Sequence, residues 1–330
     1  MNIGIVTTHD EINYGAFFQA LFLKLFLEEQ GHKVWFLKNP HKSYTSAERR
    51  AVFGGKSPIT KFKIIQKITR FKIARAQFMD ETHIGSKIYN ELHCIIFGSD
   101  EIWNVDNCVS QAANLFFMGG FSEKRKISYA VSAGSAKSIA DYAGYLKAFE
   151  KILVRDENTK RLLRSNNIDA EKVVDPTLLI DIPKSIMRNI TNLKRNIVVY
   201  YCVNQNHDFY KSAKEYALSI GAELVSIGYK HPNAKNIIGI GPIEWLEIMN
   251  NSNAVFTDMY HGTIFAAKLQ KRLTVNVTEY RRSKMTDLIN NLSLLDNVWS
   301  KGATALGSST EAANTLSSFS KERILDAIKN

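Results

Sequence analysis

Short apolar runs alternate with longer stretches whose apolar positions recur three and four residues apart, along almost the whole chain. The runs predict strands at Ile3 to Val6, Val34 to Leu37, Cys94 to Phe97, Ile127 to Val131 and Ile152 to Val154. Between them, helical spacing predicts a helix from about Ala16 to Gln30, closed by Gly31, and another that starts on the N-cap Asp156 and runs to Arg164. At Val173 to Leu179 the pattern breaks: Pro176 interrupts regular hydrogen bonding, and Asp181 to Arg195 is polar and irregular. A second set follows, with strands at Ile197 to Cys202, Leu224 to Ile227, Asn253 to Phe256 and Leu273 to Val277. Its helices are expected at His207 to Ser219, from Pro242 to about Asn250, from Thr263 to Leu269 and near Ser283 to Asn291. Ser309 to Asn330 reads as a terminal amphipathic helix.

Alternating strands and helices predict a parallel α/β architecture, and 330 residues are enough for two such domains. The expected division is residues 1–182 and 183–330, with a basic helical insertion at about 42–80 in the first domain. The last helix is expected to pack back onto that first domain.

Composition narrows the class. The chain is 45% hydrophobic and 23% charged, as in an ordinary globular protein, and no apolar run is long enough to span a bilayer. The first residues lack the basic, apolar build of a secretory signal. Cys94, Cys108 and Cys202 are widely spaced and odd in number, which argues against a disulfide framework or structural zinc and suits a cytoplasmic location.

The formal net charge of +11 favours an acidic partner. Ten Lys and Arg side chains crowd the stretch from Lys42 to Arg75 against the single acid Glu48. Within it Phe62, Ile64, Ile65, Ile68 and Phe71 recur at helical spacing, among Lys61, Lys63, Lys67, Arg70 and Lys72. Such a helix either packs on its own domain with a solvated basic face or lies on anionic lipid at the inner face of the membrane. Nucleic acid is not expected, because no aromatic platform or recognisable nucleic-acid motif accompanies the charge.

Several chemistries lack their motifs: there is no GxxxxGK[ST], GxSxG or HExxH, and Gly239-Ile240-Gly241 lacks the context of a dinucleotide fingerprint. What remains are loops at the C-terminal ends of predicted strands. In Thr257-Asp258-Met259-Tyr260-His261-Gly262-Thr263 a lone histidine stands where a strand turns into a helix, with Gly262 expected to permit the tight turn. A histidine there can move protons, and the helix N-terminus favours phosphate or carboxylate; the bland alternative is a core-capping histidine.

The other loops are Asn13-Tyr14-Gly15, Gly98-Ser99-Asp100-Glu101-Ile102-Trp103-Asn104, Ser132-Ala133-Gly134-Ser135, and Arg155. Carboxylates beside Trp103 suit a sugar, and the planar fork of Arg155 suits a carboxylate or phosphate. Each also has a structural reading: Ser132 as a cap, Asp100 ordering its loop, Arg155 paired with Asp156 or Glu157 on a surface, and Trp103 packed between domains.

Taken in order, these segments resemble the polysaccharide pyruvyl transferase family. Asn13-Tyr14-Gly15-Ala16 with Gln19-Ala20-Leu21 is similar to its opening motif, and Gly98 to Asn104 to its GSDxxWN loop. Val154-Arg155-Asp156, Asp175-Pro176-Thr177-Leu178-Leu179, Trp245-Leu246 and Thr257-Asp258 with His261-Gly262-Thr263 and Phe265 follow, so that the likeness runs from about residue 3 to about 295. The chain departs at Met259, where Ser or Arg is common, and at Glu101, where Gln is common.

The resemblance implies an α/β fold of two Rossmann-like domains in a GT-B-like arrangement, with the site in the cleft between them. It further implies transfer of a pyruvyl group from phosphoenolpyruvate to two hydroxyls of a sugar, forming a cyclic ketal in surface or capsular polysaccharide. The implied catalytic residues are His261, Arg155 and Asp100. The implied substrate contacts are Asn13, Tyr14, Gly15, Ser99, Trp103, Asn104, Ser132, Asp258, Gly262, Thr263, Arg281 and Arg282. No metal or cofactor beyond phosphoenolpyruvate is required, and the acceptor is expected to be a lipid-diphosphate-linked oligosaccharide. The alternatives are a GT-B glycosyltransferase using a nucleotide sugar and a non-catalytic homologue that binds glycan or phosphoenolpyruvate.

Overall fold

The computed structural model describes residues 1–40, 57–107, 111–184, 186, 196–204, 206–299 and 311–329. The chain divides into two compact units, one of residues 1–54, 75–180 and 315–330, the other of residues 55–74 and 181–314. Each is built on its own parallel sheet.

In the first unit the strands are β1 (Asn2–Val6), β2 (Lys33–Leu37), β3 (Glu81–Thr82), β4 (Cys94–Phe97), β5 (Arg125–Val131), β6 (Lys151–Val154) and β7 (Glu171–Lys172), in spatial order β3-β2-β1-β4-β5-β6-β7. Every residue of β4 and most of β1 and β5 are buried, as expected for strands covered on both faces. Helix α1 (Tyr14–Glu29) follows β1 and is buried over nearly its whole length, which is why its sequence is apolar all round. Chain order reverses between β1 and β4, so this is the switch point where two strand ends leave a crevice.

The last described helix of the chain, Glu311–Lys329, contributes residues 315–329 to this unit. Its Ser320 hydroxyl accepts from the Val174 N–H at 3.0 Å, and the Arg125 guanidinium donates to the carbonyls of Ala327 and Ile328 at its C-terminal end. A cation there offsets the negative end of the helix dipole.

The second unit carries β8 (Ile197–Tyr201), β9 (Glu223–Ile227), β10 (Lys235–Ile237), β11 (Ala254–Thr257) and β12 (Arg272–Val275), in order β10-β9-β8-β11-β12. Helices His207–Ser219, Pro242–Asn250, Tyr260–Lys268 and Arg282–Asn291 connect or follow them. Tyr200, Phe209, Tyr210 and Phe256 pack one face of the sheet. Its switch point lies between β8 and β11.

The structure departs from the sequence reading in three places. The histidine helix begins at Tyr260, so Gly262 is not the turn; it lies inside the helix, where a Cβ would come within 2.5 Å of Thr257 Oγ1 and 2.7 Å of Tyr201 Cδ1. The glycine therefore permits close helix–strand packing rather than a bend. The edge strands β3, β7 and β10 are two or three residues long and mostly polar, so they leave no apolar alternation to read. The basic helix, Pro58–Phe78, has two apolar faces: Ile64 and Phe71 are buried, while Phe62 and Ile65 are exposed. Residues 41–56 of the expected insertion, and Cys108, lie outside the described residues.

Candidate active site

Each switch point gathers polar residues that the motifs supplied. In the first unit the loop after β4 begins at Gly98, whose φ of +126° and contact with the Tyr129 carbonyl leave no room for a side chain. Ser99 is fully buried: its N–H donates to Gln19 Oε1 at 3.0 Å, and its hydroxyl donates to Asp175 Oδ2 at 3.4 Å. Gln19, from α1, donates in turn to the Thr7 hydroxyl at 2.8 Å, which donates to the Ser99 carbonyl. One network thus ties the ends of β1 and β4 to the first helix.

Asp100 projects from this network with its side chain 21% exposed. Its Oδ1 accepts from the Glu101 N–H at 2.9 Å, its Oδ2 lies 3.4 Å from the Thr8 hydroxyl, and Arg155 Nη2 is 3.7 Å away. Arg155 itself is 3% exposed and donates through Nη1 to Asp175 at 2.9 Å. Asp175 is fully buried and also accepts from the Thr177 N–H and hydroxyl. A buried charge is tolerated only when paired and hydrogen-bonded, and this pair is both. Arg155 is thus a support for Asp100 and for the Asp175-Pro176-Thr177 turn. This corrects the expectation of a surface pair with Asp156 or Glu157: Arg155 is buried, and Asp156 instead caps the helix Glu157–Arg164 through Thr159.

Other expected contacts of this unit also turn inward. Trp103 is fully buried, edge-on to the Phe149 ring, with its indole N–H donating to the Phe117 carbonyl at 3.0 Å. It therefore presents no face to a sugar, and it packs within the first unit rather than between domains. Tyr14 and Asn104 are buried, the latter donating to Glu101 Oε2 at 3.1 Å. Ser132 is buried with its hydroxyl accepting from the Gly134 N–H. Asn13 caps α1 by accepting from the Gly15 N–H at 2.9 Å, and is half-buried.

In the second unit Asp258 follows β11, as Asp100 follows β4. It is fully buried, and its two oxygens accept from the N–H groups of Val203 and Asn204, which follow β8, at 3.1 and 3.0 Å. This carboxylate bridges the two strand ends of the switch point. Arg281, 13% exposed, brings Nη1 to 3.7 Å from Asp258. Met259 caps the next helix, with its N–H held by Thr257 Oγ1 at 3.0 Å and its carbonyl accepting from Thr263. His261 is the second residue of that helix and is half-buried, with its ring edge-on to Tyr260. Gly262 and Thr263 are buried. Arg282 is exposed and held by Glu279 at 3.0 Å, pointing to a surface role.

Tyr229, after β9, is a residue that the motifs did not supply. Burial pushes its hydroxyl up; Arg281 opposes that shift and Asp258 adds to it, which puts all three in one electrostatic neighbourhood. Burial likewise pushes up the Cys202 thiol, with Asp258 reinforcing the shift. Among the described residues no cluster of three or more His, Cys, Asp or Glu side chains forms a candidate metal centre.

A sequence profile of polysaccharide pyruvyl transferase matches residues 13–275. The chain belongs to that family. The matched span takes in both switch points, from Asn13 through Asp100, Arg155 and Asp258 to His261. No curated protein matches the chain in sequence. Among solved structures, the pyruvyl transferase family chain is similar to an alpha-glucosyltransferase in complex with UDP and a 13-mer DNA, at 9% identity over all of both chains with a TM-score of 0.50. It is also similar to UDP-N-acetylglucosamine 2-epimerase from Rickettsia bellii, at 9% identity and a TM-score of 0.47, over 99% of this chain and 95% of that one. The likeness and the two parallel sheets give the fold class, α/β with two Rossmann-like domains of the GT-B type.

Proposed function

We propose that the protein transfers a pyruvyl group from phosphoenolpyruvate to two hydroxyls of a sugar, releasing phosphate and forming a cyclic ketal in polysaccharide biosynthesis. Family membership supports a transferase acting in polysaccharide synthesis. The observation that carries the donor assignment is the second switch point, where the partly exposed Arg281 lies 3.7 Å from Asp258 and the helix that carries His261 begins two residues after that aspartate. Phosphoenolpyruvate bears a phosphate and a carboxylate, and both are favoured by a helix N-terminus and a guanidinium.

A proton is delivered to C3 of the enol and the first sugar hydroxyl bonds to C2, losing its own proton. Phosphate departs with the bonding pair of the C2–O bond and leaves an oxocarbenium. The second hydroxyl then closes the ring, and its proton goes to phosphate. His261 serves as proton carrier or phosphate ligand, Arg281 holds the anion, and Asp100, oriented by Thr8 and Arg155, accepts a hydrogen bond from the acceptor sugar. The acceptor we assign is an oligosaccharide linked through diphosphate to lipid.

A thermal-shift comparison tests the donor. Phosphoenolpyruvate is expected to raise the melting temperature of the wild type and to lose that effect in Arg281→Ala. Stabilisation by UDP- or GDP-sugars instead would make the protein a nucleotide-sugar glycosyltransferase and overturn the reading.

A further inference from the structure

The helix Pro58–Phe78 separates its side chains into three sectors. Ile64, Phe71 and Ala74 are buried and fix the helix to the protein. At 100° per residue, the opposite side of the helix carries Ile59, Phe62, Ile65 and Ile73, which are 72%, 60%, 52% and 60% exposed. Lys67 is buried on the inner side, over the Phe71 and Tyr229 rings, and four other cations lie between the two faces. Lys61 and Lys72 border the exposed stripe on one side, and Lys63 and Arg70 border it on the other. The helix contains no acid, and among the described residues the carboxylate paired with these four cations is Glu244, 3.8 Å from Arg70 Nε.

Burial explains only the inner face. Four large apolar side chains left in water on a single helix, with two cations along each border, are unfavourable for a chain that ends its contacts there. The same layout matches a bilayer surface: the stripe enters the boundary between headgroups and acyl chains, while the flanking ammonium and guanidinium groups reach anionic headgroups. No helix among the described residues is long and apolar enough to cross a membrane, so the contact is peripheral.

We infer that the helix Pro58–Phe78 docks this protein onto an anionic lipid bilayer, with Ile59, Phe62, Ile65 and Ile73 as the inserted stripe and Lys61, Lys63, Arg70 and Lys72 as the headgroup contacts. The inference is independent of the donor assignment, since it rests on the exposed side of one helix and is read without turnover.

The test is co-sedimentation of the full chain with vesicles of phosphatidylcholine alone, or of phosphatidylcholine with phosphatidylglycerol, at two salt concentrations. The wild type is expected to pellet with the anionic vesicles only, and less so at high salt. Each cation removed should weaken partitioning about fivefold, so K61E/K63E/K72E should abolish it within the range of the assay. Phe62→Ser with Ile65→Ser should also release the protein, and because both side chains are exposed the melting temperature should not fall. Phe62→Trp should show a blue-shifted emission on adding anionic vesicles. Equal binding to neutral vesicles, or unchanged binding in both sets of variants, would overturn the inference. So would a concentration-dependent dimer that Phe62→Ser with Ile65→Ser converts to monomer without any lipid binding, which would identify the stripe as a contact between copies.

Discussion

Two aspartates occupy the same place in the two sheets, each just after the strand beside the switch point, and each has an arginine near it. They differ in how far water reaches. Around Asp100 the arginine is the sealed member, 3% exposed and committed to Asp175 at 2.9 Å, while the aspartate looks outward. Around Asp258 the aspartate is the sealed member, fully buried and committed to two backbone N–H groups, while Arg281, 3.7 Å from it, keeps some access to solvent. One unit therefore presents an acceptor of hydrogen bonds and the other a cation. Sugar hydroxyls want the first, and a phosphorylated carboxylate wants the second. An arginine in a motif is thus no guide to its job until its burial is known.

The largest effect expected from breaking this comparison is on folding. Arg155→Ala removes the partner of a fully buried carboxylate and should cost about 3–5 kcal/mol in denaturant unfolding. Arg155→Lys should recover only part of it, because an ammonium lacks the fork that spans Asp175 and Asp100. A melting temperature untouched by Arg155→Ala would return that residue to the role of anion clamp. His261→Ala should instead lower phosphate release from phosphoenolpyruvate by about 10²–10⁴-fold with the melting curve in place; near-normal turnover would remove the histidine from the chemistry.

Smaller still, Gly262→Ala must push a Cβ against Thr257 and Tyr201, for about 1–3 kcal/mol of stability. The smallest effect is a pH window. The His9 ring, and then Lys38, hold the Glu81 carboxyl down to about 2 against a burial that opposes them. A depressed carboxyl contributes stability above its unfolded value near 4.5, and that contribution fades as pH falls toward 2. Glu81→Gln should therefore flatten the acid limb of stability between those values, with its deficit against the wild type present at neutral pH and vanishing as pH falls toward 2. An unaltered acid limb would show the pairing to be absent in solution.

Much of this was legible in the sequence wherever local chemistry decides the outcome. Asp156 capping its helix, Pro242 opening the next, the four apolar residues of β4 and the strand before His261 are all set within a few residues. The family motifs placed both aspartates at strand ends. What escaped depends on partners far along the chain. The Arg155–Asp175 pair spans 20 positions and the Ser99–Gln19 bond 80, and no spacing rule links them. Trp103 looked like a sugar platform because its neighbours are polar, yet its ring turns into the core. Tyr229 belongs to no motif, and only burial beside Arg281 and Asp258 gives it away. In Pro58–Phe78 two apolar faces share one helical period, so sequence alone merged the buried side with the exposed one.

The helix Glu311–Lys329 gives the first unit a particular order of completion. Residues 75–180 form most of its sheet, but the backbone N–H of Val174 and the guanidinium of Arg125 find partners on residues that are synthesised only after the whole of the second unit. On the ribosome, the first sheet to emerge is therefore the last to be finished, and it must wait, part-covered, while its neighbour folds.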